Sequence, residues 1–160
     1  MFILERTRQE DAKGELKLLY KMIEKSLGFV PSHFELFATI DIESMKEFIL
    51  YNQKMSTHKK IDKNLLPILR LEIARRECRE YCVAFNTDIV EKNNTKLDIK
   101  QELLMKKVLK AIYETQEFCK DDLVELYKVG FEDKDYFDLL SYSTNFMAKS
   151  KLIEIYTKRS

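Results

Sequence analysis

The sequence has few of the residues that interrupt or reverse a chain. It contains only three glycines and two prolines in 160 residues. A sheet needs a turn after every strand, and turns depend on these residue types. Leucine, lysine, glutamate and isoleucine dominate long stretches instead, with apolar residues at helical spacing. The sequence therefore predicts an all-α fold, and its length suits a single domain over residues 1–160.

An excess of charge of either sign is also missing. The 28 basic and 27 acidic residues leave a net charge of +1, so no general field attracts nucleic acid or an anionic membrane surface. The start, MFILERTRQED, is apolar for only four residues, which is too short for a signal peptide. No window approaches the roughly 20 apolar residues of a membrane-spanning helix. We expect a cytoplasmic protein that binds neither nucleic acid nor a membrane.

Cysteine and histidine are scarce. The cysteines are Cys78, Cys82 and Cys119, and the histidines are His33 and His58. In a reducing compartment, three cysteines fit buried thiols, redox groups or metal ligands better than a disulfide framework. A zinc site with four ligands would need partners scattered along the chain, without the usual short spacing. We expect neither a metal site nor a bound cofactor.

The apolar spacing and the few turn residues place the first helices. A helix is predicted over residues 10–27, with Gly28 as its left-handed stop. After a turn at a proline, a short helix is predicted to carry Phe34, Phe37 and Ile40 inward. A third helix follows directly.

The second half contains two further boundary signals. A long helix is predicted from about Asp98 to Phe118, from apolar residues three and four apart. In the segment after it, Asp121 or Asp122 can cap the start of a short helix, and Gly130 can take the left-handed position at its end. The final helix then runs almost to the end of the chain.

The stretch RRECREYCVAFNTDIV, residues 75–90, holds two of the three cysteines. If it lies in one continuous helix, Cys78 and Cys82 share a face with Leu71, Ala74 and Phe85, as in a core stripe. Thiols buried in apolar surroundings have a raised pKa and are inert. One interpretation of the stretch is therefore simple core packing.

The other interpretation of this stretch is a working thiol site. A reactive thiolate needs a base, a cation or a helix N-terminus at the sulfur, and a second thiol to resolve its oxidised form. Four residues of straight helix separate Cα atoms by roughly 6 Å, so a Cys78–Cys82 disulfide is strained unless the helix breaks. Neighbouring arginines could lower a thiol pKa: Arg75, Arg76 and Arg79. The residues alone leave both interpretations open.

REYCVAFNT resembles the CxYCxxxHT signature of the AhpD-like, or carboxymuconolactone decarboxylase-like, superfamily. Two flanking blocks are similar to the family pattern as well, LGFVPSHFELFATIDIESMKEFILYNQKM and LVELYKVGFEDKDYFDLLSYSTNFMAKSKL, the latter with Asn145 near the middle of its helix. The resemblance covers nearly the whole chain. It implies an AhpD-like helical bundle that assembles into a homo-oligomer.

The resemblance carries over to the functional positions only in part. Cys82 matches the family's second cysteine, which attacks peroxide in the AhpD branch. The first cysteine falls on Arg79, with Cys78 one position early; the histidine falls on Asn86 and the relay glutamate on Pro67. Asparagine does not accept a proton from a thiol near neutral pH. Another group could replace the base in space: Glu72, Glu77, Glu80, His33 or His58.

Two functions follow from the resemblance, and a third is weaker. The first is a thiol-dependent hydroperoxide reductase, with Cys82 as nucleophile, Cys78 or Cys119 as resolving thiol, and a lipoyl or thioredoxin-like dithiol protein as reductant. Tyr81 and Phe85 would then line the pocket or merely pack. The second is a catalytically inactive family member that serves as an oligomeric binding or scaffold protein.

The third function is a decarboxylase-like protein that binds a lactone acid, which the missing histidine also disfavours. The candidate site residues are Cys82, Cys78 and Asn86. A lowered pKa at Cys82 would favour the reductase, and a normal or raised pKa would favour the scaffold.

Overall fold

The fold is all-α in the computed structural model, as predicted. The structure describes residues 2–94 and 96–157, and over these it contains eight α-helices and no named strand. The helices are α1 (Gly14–Leu27), α2 (Ser32–Ile40), α3 (Ile42–Ser56), α4 (Leu65–Arg76), α5 (Glu80–Asn93), α6 (Ile99–Tyr113), α7 (Lys120–Lys128) and α8 (Asp133–Tyr156). Within the same residues, none of these helices is both long and apolar enough to cross a membrane.

The chain groups into two compact units. One contains the residues up to Asn52 together with those from Ile155 onward, and the other is Gln53–Glu154. The expectation of a single domain stays a prediction.

In the first unit, α1 ends as predicted but begins later. Gly28 has φ of 83° and donates its amide to the Glu24 carbonyl, which is the left-handed helix stop. The helix starts at Gly14 rather than at residue 10, because Gln9–Asp11 form a separate turn of 3-10 helix. The inner face of α1 buries Tyr20, whose hydroxyl donates to the Thr7 carbonyl at 2.8 Å.

The face of α2 that packs inward is aromatic. Phe34 and Phe37 are buried, as predicted, and Phe48 from α3 packs on both at centroid distances of 5.5 and 5.8 Å. The prediction for Ile40 is wrong, since it is the last residue of α2 and its side chain is 50% exposed. His33 is buried in the same aromatic cluster, 4.5 Å from the Phe34 ring.

In the second unit, α4 is the central helix and packs against α5 and α6. Most of its side chains are buried: Leu65, Leu66, Pro67, Leu69, Leu71, Ile73 and Ala74. Pro67 is the third residue of the helix, where a backbone amide needs no intrahelical partner, so the proline does not interrupt it. Arg70 lies on this helix between the buried residues Leu69 and Leu71.

The helix after residue 98 is shorter than predicted. Asp98 caps α6 by accepting the Gln101 amide at 2.8 Å, but the helix ends at Tyr113 rather than at Phe118. The amides of Glu117 and Phe118 both bond to the Glu114 carbonyl, which makes a compact turn instead of more helix.

The cap of α7 differs from the predicted one. Cys119 occupies the N-cap position, and Asp122 is the third helical residue, which accepts the Cys119 amide at 3.0 Å in a reciprocal capping box. Lys107 on α6 donates to the same carboxylate at 2.7 Å, which holds the pKa of Asp122 well below its usual range and ties α6 to α7. Gly130 takes the predicted left-handed conformation, with φ of 96°.

Candidate functional site

The chain breaks between α4 and α5, inside the cysteine stretch. Cys78 adopts φ of 54°, a left-handed conformation that non-glycine residues rarely take. The amides of Glu77 and Arg79 still bond back to α4, to the Ile73 and Ala74 carbonyls, both at 2.9 Å. Cys78 and Cys82 therefore do not lie on one continuous helix, and the core stripe that would join them is absent.

The break places Cys82 in the first turn of a new helix. Cys82 is the third residue of α5 and is 3% exposed, whereas Cys78 is exposed. A helix N-terminus favours a thiolate. Burial nevertheless raises the pKa of Cys82 to about 11, and it outweighs the guanidinium groups of Arg70 and Arg79, which lower it. Cys82 is a protonated thiol near neutral pH.

Asn86 lies one helical turn after Cys82 and is 1% exposed. Its Nδ2 donates to the Cys82 carbonyl at 2.8 Å, and its Oδ1 accepts from Arg70 Nε at 2.8 Å. These two bonds fix the orientation of the amide. The side chain at the position of the family histidine is therefore a structural bridge, and it offers no base to the thiol.

Arg70 joins three helices at this point. From α4 it reaches Asn86 on α5 through Nε, and its Nη1 donates to the hydroxyl of Tyr142 on α8 at 2.5 Å. Tyr142 is buried, and Arg70 is half-buried. Sequence reasoning missed this link; the available signal was a single arginine inside the apolar run LLPILRLEIA.

Arg79 stands where the resemblance places the first cysteine. Its side chain is mostly buried and forms an ion pair with Glu154 on α8, and a second one with Glu77 at 3.2 Å. Glu154 also pairs with Lys151 at 2.9 Å. The side chain at position 79 therefore links the helix break to α8 through ion pairs.

Three of the other candidate bases have partners of their own, and a fourth, Glu80, is exposed. Glu72 accepts from Arg76 at 3.1 Å and Glu77 pairs with Arg79. His58 Nδ1 accepts the amides of residues 60 and 61 at 3.2 Å, and its Nε2 lies 3.3 Å from Asp138.

The remaining candidates lie as follows. Tyr81 and Phe85 are half-buried and stack on each other, with ring centroids 6.5 Å apart and planes 3° from parallel. Cys119 is exposed at the start of α7. Over residues 2–94 and 96–157, the structure contains no cluster of three His, Cys, Asp or Glu side chains able to hold a metal ion.

Two solved structures share this arrangement of helices. One is a peroxidase-related protein with an alkylhydroperoxidase AhpD core from Ralstonia eutropha JMP134, 16% identical, with a TM-score of 0.78 over 98% of this chain and 92% of that one. The other is a peroxidase-related protein from Silicibacter sp. TM1040, 17% identical, with a TM-score of 0.77 over 97% of this chain and 89% of that one. No family model and no curated protein matches the sequence. The comparison confirms the predicted AhpD-like fold.

Proposed function

Starting from an AhpD-like fold, we propose that this chain is an oligomeric binding or scaffold protein in which the thiol peroxidase chemistry of AhpD is silent. The observation that carries the proposal is the state of Cys82. Its thiol is buried and its pKa is raised to about 11. The residue one turn away is an asparagine whose amide is already engaged.

The chemistry of peroxide reduction explains why the state of Cys82 supports the proposal. Attack on a peroxide oxygen requires a thiolate. With a pKa of about 11, the thiolate fraction at pH 7 is on the order of one in ten thousand. A general base could compensate by taking the proton during the attack, but Asn86 has no basic nitrogen. The thiol at this position is therefore expected to react slowly.

The surroundings of Cys82 support a structural role for the site. Arg70 holds Asn86 and Tyr142 together across three helices, and Arg79 binds Glu154. Such polar links between helices favour one arrangement of the helices over others. The proposal includes a cytoplasmic location, expected from the composition, and a homo-oligomer, expected from the resemblance to the AhpD-like family.

The test is a peroxide challenge of the fully reduced protein, with each cysteine mapped by mass spectrometry. We expect Cys82 to oxidise no faster than a free thiol, and Cys82→Ser to leave peroxide consumption unchanged. Rapid oxidation at stoichiometric peroxide, with a disulfide from Cys82 to another cysteine, would contradict the proposal.

A gain-of-function variant provides the matched control. Arg79→Cys combined with Asn86→His introduces the cysteine pair and the base at the positions of the family signature. We expect this double variant to oxidise faster than the parent, and Arg79→Cys alone to gain less, because it lacks a proton acceptor. Circular dichroism checks that each variant keeps its helices.

A second candidate is slow hydroperoxide reduction by Cys82, favoured by its place in the first turn of α5. The thiolate would attack the peroxide, the O–O bond would break, and the alkoxide would leave as an alcohol after taking a proton. The resulting sulfenic acid would condense with the thiol of Cys78 or Cys119 to give a disulfide and water. A lipoyl or thioredoxin-like dithiol protein would then reduce that disulfide. The same peroxide challenge separates the two candidates.

A further inference from the structure

The outer face of α1 carries two large apolar side chains in solvent. Leu18 is 63% exposed and Met22 is 55% exposed, whereas Tyr20 and Ile23 on the inner face are buried. Leu18 and Met22 are four residues apart, so they lie one above the other on the helix. Together they form a small apolar patch at the centre of the helix.

Opposite charges stand at the two ends of this patch. Glu15 precedes Leu18 by three residues and Lys25 follows Met22 by three, and both are exposed. At 100° of rotation per residue, the four side chains lie within an arc of about 80°. We call them the α1 stripe: Glu15, Leu18, Met22 and Lys25.

Two copies of the stripe are complementary in charge and in apolar contact when the two helices run antiparallel. In an antiparallel pair of α1 helices crossing at residue 20, Leu18 of one copy lies opposite Met22 of the other. Glu15 then lies opposite Lys25, and the same two contacts repeat across the two-fold axis. One such contact buries both apolar pairs and forms two ion pairs between copies.

We propose that the α1 stripe is a two-fold contact surface, on which α1 packs antiparallel against α1 of a second copy of this chain. This contact would be the surface through which the oligomer of the proposed function assembles. The inference rests on the proposed function only in assuming that the chain forms an oligomer. The opposite charges at the two ends of the stripe determine which partner fits it. An acidic partner would match Lys25 and repel Glu15, as would an anionic membrane, whereas a reversed copy matches both ends.

The rest of α1 is compatible with this contact. Glu15 already pairs with Lys46 at 2.7 Å through one oxygen, and its other oxygen can accept a second donor. Lys21 lies about 40° beyond Lys25 around the helix, so its charge can stay in water at the edge of the contact. A helix of 14 residues is about 21 Å long, which corresponds to a small interface with reversible association.

The test is sedimentation of the reduced protein over a range of concentrations, with charge-reversed variants. Glu15→Lys and Lys25→Glu each replace two attractive pairs by two repulsive ones. Each variant is therefore expected to weaken association about ten- to thirtyfold. The double variant Glu15→Lys/Lys25→Glu regenerates both pairs with reversed polarity and is expected to associate like the parent.

Mixing the two single variants gives the sharpest result. Each copy then meets a complementary stripe, so the mixture is expected to form heterodimers at concentrations where each variant alone is mostly monomeric. Recovery on mixing also excludes misfolding as the reason for the loss. Lys17→Glu is the matched control, because it makes the same charge change on α1 outside the stripe and is expected to leave association unchanged.

The outcomes separate this proposal from the function it extends. An oligomer that persists unchanged in both single variants overturns the α1 contact while the oligomeric scaffold stands. A parent protein that is monomeric at all concentrations overturns both. If the single variants lose association and neither the double variant nor the mixture recovers it, the antiparallel pairing of α1 is also overturned.

Discussion

The thiol of Cys82 is held in its neutral form by burial. Its pKa is raised from an ordinary value of 9.0 to about 11, so the folded state binds this proton more tightly than the unfolded state does. The stability that results is fully present below pH 9 and is lost as the pH rises through the folded-state pKa.

A comparison with Cys82→Ala measures this contribution. Between pH 9 and 11, the free energy of unfolding of the parent is expected to fall relative to the variant by about 2–3 kcal/mol, because a two-unit shift corresponds to that much. Urea unfolding at each pH gives the difference. A gap that does not change with pH would mean that the thiol is as acidic in the folded protein as in the unfolded chain.

Asn86 holds the side chain of Arg70 through a hydrogen bond, and removal of the Asn86 amide is expected to lower the stability of the protein. Asn86→Ala removes the acceptor of Arg70 Nε and the donor to the Cys82 carbonyl. Loss of these two hydrogen bonds is expected to cost about 1–3 kcal/mol. Chemical denaturation measures the loss. Asn145→Ala, at an exposed position of α8, is the control and is expected to stay within about 0.5 kcal/mol of the parent.

At the scale of elements, the break between α4 and α5 depends on one strained residue. Cys78 has φ of 54°, a conformation that costs an L-residue about 1–2 kcal/mol and glycine far less. The break is what puts Cys82 at the start of a helix rather than within one.

Cys78→Gly is therefore expected to stabilise the protein. The gain should be about 0.5–1 kcal/mol, after allowing for the larger conformational entropy of glycine in the unfolded chain. Cys78→Ala keeps the Cβ atom and is expected to gain nothing. Equal stabilities of the two variants in urea would show that the strain at position 78 does not exceed the entropy cost of glycine.

Over the whole molecule, the sequence predicts the fold better than it predicts the site. Gly28 and Gly130 end their helices as predicted, because left-handed turns have a local residue preference. Ile40 was misplaced because helical spacing alone does not tell which side of a helix end faces water.

The break at Cys78 and the link through Arg70 were harder to predict. A cysteine in a left-handed conformation has no compositional signal, so its neighbours must impose it. Arg70 meets Tyr142 across 72 residues of sequence, and such a pair becomes visible only when the helices are packed. Local rules thus account for the helices, and tertiary packing accounts for the site.

The ion pair between Arg79 and Glu154 also determines what a second cysteine beside Cys82 would cost. Arg79→Cys would remove a cation from both Glu77 and Glu154, while Glu154 would keep its pair with Lys151. Such a change lowers stability, and position 86 still offers no base to the new thiol. A second thiol beside Cys82 is therefore expected to come at the expense of the charged contacts that hold the helix break to α8.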